Sequence, residues 1–187
     1  MNRSSVSDVM GGFTLIELIV AVAIAAILAT LAVPSFTSFF AKKRVEGLIS
    51  ELATDLQYAR SEAIARNTLV QVTLGTNCYV IHALPTAATA ASTSTSCTQA
   101  SASPAISGVT ELKTVQLATG RPESLSPTNG SIVFDPVRGT ATISSAGTIT
   151  ATSSIGSWDL RANITAVGRV NICSPAGTGN VSGYSAC

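Results

Sequence analysis

Gly12-Phe13-Thr14-Leu15-Ile16-Glu17-Leu18 opens the stretch that decides how this chain is built. Beyond it, residues 18–41 contain no charged side chain. As an α-helix that run would be about 36 Å long, enough to cross the hydrocarbon core of a bilayer. Met1 to Gly12 before it are short and polar, with Arg3 and Asp8 cancelling. A secretory signal has a net positive start and a shorter apolar stretch that ends at a small-residue cut site. Ala21, Ala23 and Ala25 imitate such a site. The length of the run, and Glu17 just inside its start, argue instead that the apolar segment is retained. A carboxylate in a bilayer segment costs about 2–3 kcal/mol at the centre and less at the edge, and it marks function by default. A free α-amine at Phe13, made by cleavage after Gly12, would lie within about one helical turn of the Glu17 of a neighbour packed alongside.

Working outward, the helical pattern continues past Pro34 and turns amphipathic. Val45, Leu48, Ile49, Leu52, Leu56, Ala59 and Ala63 recur at helical spacing and form one apolar stripe. Lys42, Lys43, Arg44, Glu46, Glu51, Asp55, Arg60, Glu62 and Arg66 mostly take the other face. Lys42, Lys43 and Arg44 read as a solvated stretch just outside a bilayer rather than as a phosphate site. Helix from residue 13 to about residue 67 would be roughly 80 Å long. A domain of this size cannot bury such a rod, so its first half must lie in membrane or against sister helices.

From Thr68 onward short β-rich runs alternate with turn residues. Strands are expected at 69–74, 79–83, 111–117, 131–134, 141–144, 157–162 and 165–172. Residues 87–103, low-complexity Ala, Ser and Thr around Cys97, read as an exposed loop. The strands would form one or two antiparallel sheets against the amphipathic stripe, an α+β arrangement. The expected organisation is a leader at 1–12, a transmembrane or filament-core helix at 13–41, an amphipathic half at 42–68 and a β-rich globular domain at 69–187.

Charged residues make up 11% of the chain, and 11 Lys and Arg face 10 Asp and Glu, so no overall field attracts nucleic acid or acidic lipid. The cysteines are Cys78, Cys97, Cys173 and Cys187, all beyond the apolar segment and without a C-x-x-C pair. With His82 the only histidine, zinc ligands at the usual spacing are lacking, so no metal is expected. An even count beyond a membrane segment points to disulfides in an oxidising compartment. Three connectivities are open. Cys78–Cys97 and Cys173–Cys187 are favoured because each closes a short polar loop, and free buried cysteines are the alternative. One histidine among scattered carboxylates supports no nucleophile–base–acid arrangement, and neither a phosphate loop nor a dinucleotide fingerprint is present. No catalytic residue and no cofactor is expected.

Gly12-Phe13-Thr14-Leu15-Ile16-Glu17 followed by an apolar helix resembles the class III leader and helix start of the type IV pilin superfamily. The resemblance implies cleavage between Gly12 and Phe13 by a prepilin peptidase, N-methylation of Phe13 and an assembly role for Glu17. Pro34 matches a proline the family often places mid-helix, where a missing N–H makes local loss of helicity cheap. Ile132-Val133-Phe134-Asp135-Pro136 with Gly139-Thr140, and Leu56, Ala59-Arg60, Ala63-Ile64 and Arg66, resemble the GspH/FimT group of minor pilins and pseudopilins. Gly168-Arg169-Val170-Asn171-Ile172-Cys173, followed by Cys187, is similar to the FimT/FimU type more than to GspH. The fold implied is pilin-like: a long N-terminal helix packed on an antiparallel β domain.

The implied function is that of a minor type IV pilin that helps initiate or cap a pilus. Its implied partners are other major and minor pilins, packed helix to helix, the prepilin peptidase and the inner membrane. The precursor would sit in the bacterial inner membrane as a single-pass protein with a periplasmic C-terminal domain, and later enter the pilus. One alternative is a GspH-like pseudopilin of type II secretion. Another is a pilus-tip DNA receptor in natural transformation, because some FimT proteins resemble this chain in a Gly-Arg-x-Arg element thought to capture DNA. Arg169 keeps its first arginine, whereas Asn171 replaces the second with an amide that releases no counterion. Arg121, Arg138 and Arg161 would complete a patch only if folding gathers them.

Overall fold

The structure, a computed structural model, describes residues 13–85, 109–143, 147–177 and 179–187, and the side chains of all of these except 31–34. The chain divides into two compact units, Met1–Thr37 and Ser38–Cys187, with the boundary inside helix α1, Leu15–Arg66. The helix starts where the Thr14 hydroxyl accepts the Glu17 N–H at 3.3 Å, while the Thr14 carbonyl accepts the Leu18 N–H at 3.2 Å. This is the donor-satisfying arrangement of an N-cap. It ends at Asn67, whose φ of 52° is left-handed. Asn67 and Thr68 donate back to the carbonyls of Ile64 and Ala63. These two bonds close the last turn as a Schellman motif with an asparagine in the usual glycine position.

In the first unit the large apolar side chains point into open space. Leu15, Ile16, Leu18, Ile19, Val20, Val22, Ile24, Ile27 and Leu28 are all exposed, on every side of the helix. Among the described residues no single helix is long and apolar enough to cross a membrane. The segments Leu15–Thr30 and Ser35–Arg66 pass only as a pair, by length and composition.

The second unit is a helix laid on two sheets. Strands β1 (Val70–Leu74), β2 (Cys78–Ala83), β3 (Thr110–Gln116), β5 (Ser131–Phe134) and β6 (Ala141–Thr142) form one sheet in the order β3-β2-β1-β5-β6. Strands β4 (Glu123–Pro127), β7 (Gly147–Ser153), β8 (Asp159–Ile164) and β9 (Val170–Cys173) form the other, ordered β4-β7-β8-β9. Every strand pairing is antiparallel. The stripe from Val45 to Ala63 is buried at all seven positions and joins Val70, Val72, Tyr79, Ile81, Ile132 and Phe134 of the first sheet. The same core takes Leu125, Ile149, Ala151, Leu160, Ala162 and Ile164 from the second. Burying a Leu or Ile side chain is worth about 1.5–3 kcal/mol, so this stripe fixes how the unit folds.

Several expectations need correction. The strand expected at 165–172 is a hairpin turn followed by β9. Gly168 has a φ of 74°, and Thr165 closes the turn by donating its N–H to the Arg169 carbonyl at 3.0 Å. The strand expected at 157–162 lies two residues later, as β8. Strands β4 and β7 had no counterpart in the sequence reading. Asp55, read on the polar face, is 6% exposed. It accepts hydrogen bonds from the Tyr79 hydroxyl and the Lys113 ammonium, each at 2.7 Å. A helical period locates the apolar stripe but cannot see that a neighbouring strand brings partners for a carboxylate beside it.

Candidate functional site

The first candidate region is the start of α1. Phe13 is 80% exposed, and Glu17 lies in the exposed first turn. No described residue forms an ion pair with the Glu17 carboxylate. Thr14 and Glu17 stand at the spacing of a capping box, a signal the sequence reading passed over. A carboxylate there also suits the positive end of the helix dipole. The geometry therefore offers an apolar rod with one unpaired anionic group near its tip. Gly12, and with it the bond expected to be cleaved, lies outside the described residues.

The second region is the β8–β9 hairpin. Arg169 donates its N–H to the Thr165 hydroxyl at 3.2 Å, which sets the turn while the guanidinium stays exposed. Asn171 lies opposite Asn163 in the ladder and is exposed. The fold brings the Arg138 turn to this hairpin, carries Arg161 on the hairpin's own first strand and leaves Arg121 apart. A Cβ at Gly168 would stand 2.6 Å from the Gly139 carbonyl oxygen, so the two turns touch through glycines. The Arg60 side chain lies under both, with Nε 3.1 Å and 3.2 Å from the positions a Cβ would take at Gly139 and Gly168. That Nε is buried and has no hydrogen-bond partner among the described residues. Arg121 lies beside β4, at the opposite edge of the sheet from β9, where its Nε is 3.3 Å from buried Glu123. Arg161 is exposed within β8, opposite Cys173.

Cys173 and Cys187 form a disulfide, with Cα atoms 5.1 Å apart. It fixes a C-terminal segment that also pairs Ser174 N–H with the Ser185 carbonyl and seats Val181 in the core. Cys78 is buried at the start of β2, and Cys97 lies outside the described residues. His82 is buried in β2. Its Nε2 has no hydrogen-bond partner among the described residues. Burial lowers its pKa, and Glu111 opposes that shift. Tyr79 is held neutral: burial first, then its bond to Asp55, pushes its pKa far up. Lys113 is held charged, mainly by its hydrogen bond to Asp55. No group of three or more His, Cys, Asp or Glu suited to a metal occurs among the described residues. These clusters tie strands to helix.

The family described as type II transport protein GspH matches residues 48–168, and the prokaryotic N-terminal methylation motif matches residues 10–33. The chain belongs to the GspH family. With the methylation motif, that places this GspH-family protein in the type IV pilin superfamily and makes it a structural subunit of minor-pilin or pseudopilin type. No curated protein matches its sequence. Its fold is similar to that of the type IV minor pilin FimU of Pseudomonas aeruginosa PAO1, in a crystal structure with a TM-score of 0.50 and 17% identity. The alignment covers 72% of this chain and 91% of FimU. A second crystal form of FimU aligns with a TM-score of 0.46 at 17% identity, over 68% of this chain and 90% of FimU. The α+β architecture of a helix with antiparallel sheets is thus a pilin fold. The GspH match ends at Gly168, just before Arg169.

Proposed function

We propose that this GspH-family protein is a minor type IV pilin that helps initiate or cap a pilus, and that it works by packing. The observation that carries this is the contrast within one helix. Among the described residues the large apolar side chains from Leu15 to Leu28 are exposed, whereas those of the stripe from Val45 to Ala63 are buried. The first set is stabilised only by lipid or by sister helices. On this reading residues 13–41 cross the inner membrane in the precursor and enter the filament core after cleavage. Phe13 then carries a methylated α-amine, and Glu17 pairs with the amine of a neighbouring subunit and sets its register. The prepilin peptidase and the other pilins are the partners this requires. The Cys78–Cys97 pairing belongs to the same proposal.

Mass spectrometry of the protein purified from sheared filaments tests it. The expected N-terminus is N-methylated Phe13. An N-terminus at Met1, or one in the second half of the apolar run, would end the pilin reading. Recovery with a type II secretion filament rather than a pilus would make the chain a pseudopilin.

One observation favours a second reading, contact with DNA at the pilus tip. The glycine contact brings the Arg138 and Arg169 turns together above Arg60. Two exposed arginines on touching turns would suit phosphate, although Asn171 adds no charge and the Arg60 Nε is buried beneath them. Such binding would lack sequence preference and weaken with salt, with a log–log slope of about −0.9 per phosphate contact. Arg169→Ala should flatten that slope by about one unit, and Asn171→Arg should strengthen binding. Salt-independent binding, or none at low salt, would remove this reading.

A further inference from the structure

The turn of helix that opens the second unit carries side chains the packing proposal does not use. Phe39 and Phe40 are 52% and 55% exposed, with rings edge to face at 5.9 Å. On another side of the helix the loop between β7 and β8 reaches in. The Trp158 indole N–H donates to the Ser38 carbonyl at 3.2 Å, and a Cβ on Gly156 would meet Ser38 Oγ at 2.9 Å. Exposed Ile155 lies on that loop. Three aromatic rings therefore surround the helix at the level of residues 38–40. One turn later come three consecutive cations. Lys42 Nζ lies 5.7 Å from the Trp158 ring centre, and Lys43 Nζ lies 5.9 Å from that of Phe39. Arg44 follows Phe40 at the four-residue step that also separates Lys43 from Phe39, so each of these two cations stands about 6 Å beyond an aromatic along the axis.

That order matches a membrane–water interface, where aromatic rings occupy the headgroup boundary and cations reach the phosphates just outside it. Local acids do not cancel the charge. Lys43 pairs with Glu46 at 2.7 Å, while Arg44 and Arg121 share buried Glu123 at 3.7 Å and 3.3 Å. Lys42 bonds the neutral Ser182 hydroxyl at 3.0 Å. Four cations against two carboxylates leave this end of the unit positive in a chain whose net charge is only +1. We propose that this aromatic and basic collar docks on anionic phospholipid headgroups while the subunit waits in the membrane. It thereby seats the β7–β8 loop, with Trp158 and Ile155, in the interface. The inference rests on the membrane reading of residues 13–41.

Trp158 is the single tryptophan of the chain and so reports on its own site. The full-length protein is reconstituted in vesicles of phosphatidylcholine, or of equal parts phosphatidylcholine and phosphatidylglycerol. Flotation reads membrane anchoring, and Trp158 emission with quenching by acrylamide and by brominated acyl chains reads the collar. The expected result is flotation with both vesicles. Only the anionic ones should give a blue-shifted emission, acrylamide protection and stronger bromine quenching. Lys43→Gln, which leaves Trp158 untouched, should lower the anionic-lipid response about five-fold. Lys42→Gln with Lys43→Gln should abolish it, without loss of flotation from either variant. Flotation with both lipids but identical Trp158 signals overturns the proposal alone. Failure to float overturns it together with the membrane reading. Protection that grows with protein density and ignores lipid charge means that the collar faces another copy, and also overturns it.

Discussion

Two halves of one helix obey opposite rules. Up to Leu28 the apolar residues are exposed on every side, and a lone anionic residue, Glu17, stands in the first turn. From Val45 onward the apolar residues form a single buried stripe, and the carboxylate beside it, Asp55, is buried and bonded twice. Secondary structure is the same in both halves, so helix propensity does not distinguish them. What differs is where each surface finds its solvent. The second half folds against its own sheets, whereas on the proposed reading the first is completed by lipid or by other subunits. On that reading stability and assembly are separable properties of the chain, and paired substitutions test the division.

The largest contrast should come from one substitution made twice. Leu52→Ala removes a fully buried side chain from the core, where such losses cost about 2–5 kcal/mol. Leu18→Ala removes one that is exposed in the isolated chain, so it should leave the urea midpoint of the unit 38–187 unchanged and weaken only anchoring or filament packing. Equal destabilisation by both would show that the first half folds back onto the domain.

A smaller contrast concerns the two carboxylates. Asp55→Ala strips the Tyr79 hydroxyl and the Lys113 ammonium of their acceptor, which should cost about 1–3 kcal/mol. The loss should shrink at alkaline pH. The raised Lys113 pKa gives stability that is present below the ordinary lysine value and disappears as pH rises through the folded one. The unfolded chain also ionises Tyr79 above about pH 10, while the folded chain resists. Glu17→Ala should leave denaturation unchanged and instead impair incorporation into filaments. Normal incorporation would remove the register argument.

The same division explains what could be read from sequence. The seven-residue stripe was legible because helical spacing and burial coincide at every member. The end of α1 near Asn67 was legible too, since β-branched residues and turn signals begin there. Asp55 was misread because its partners are 24 and 58 residues away, on strands whose register no local pattern reveals. Strand β7, Gly147–Ser153, was missed although it buries alternate residues, because Gly147, Ile149, Ala151 and Ser153 are too varied in size and polarity to stand out. Its half-buried threonines at 148, 150 and 152 carried the period-two signal more clearly. At the second candidate region, Gly168 marked a turn that the strand expectation ran through. The contact of that turn with Gly139 joins residues 29 positions apart, and only the fold could show it. The aromatic and basic collar was half legible: Lys42, Lys43 and Arg44 drew notice, but Trp158 reaches them from the far end of the domain.

The smallest effect concerns His82, a buried titratable group on β2, a strand remote in sequence from the assembly half. Burial lowers its pKa, and the Glu111 charge, in register on β3, only partly offsets this. The folded chain thus holds a neutral ring where the unfolded chain takes up a proton at about pH 6.5. The sign follows from linkage: the unfolded state binds more protons, so stability falls as pH drops below that value and goes on falling until the folded pKa is reached. His82→Leu should remove this component, leaving a flatter dependence of the urea midpoint on pH between about 7 and about 5 than in the unaltered protein. Glu111→Gln should steepen it, because the charge that favours protonation in the folded state is gone. Carboxylates other than Glu111 that titrate in the same range are common to all three proteins and cancel in the comparison. If His82→Leu has the same slope as the unaltered protein, the ring is solvated, and burial on β2 is not what sets its charge.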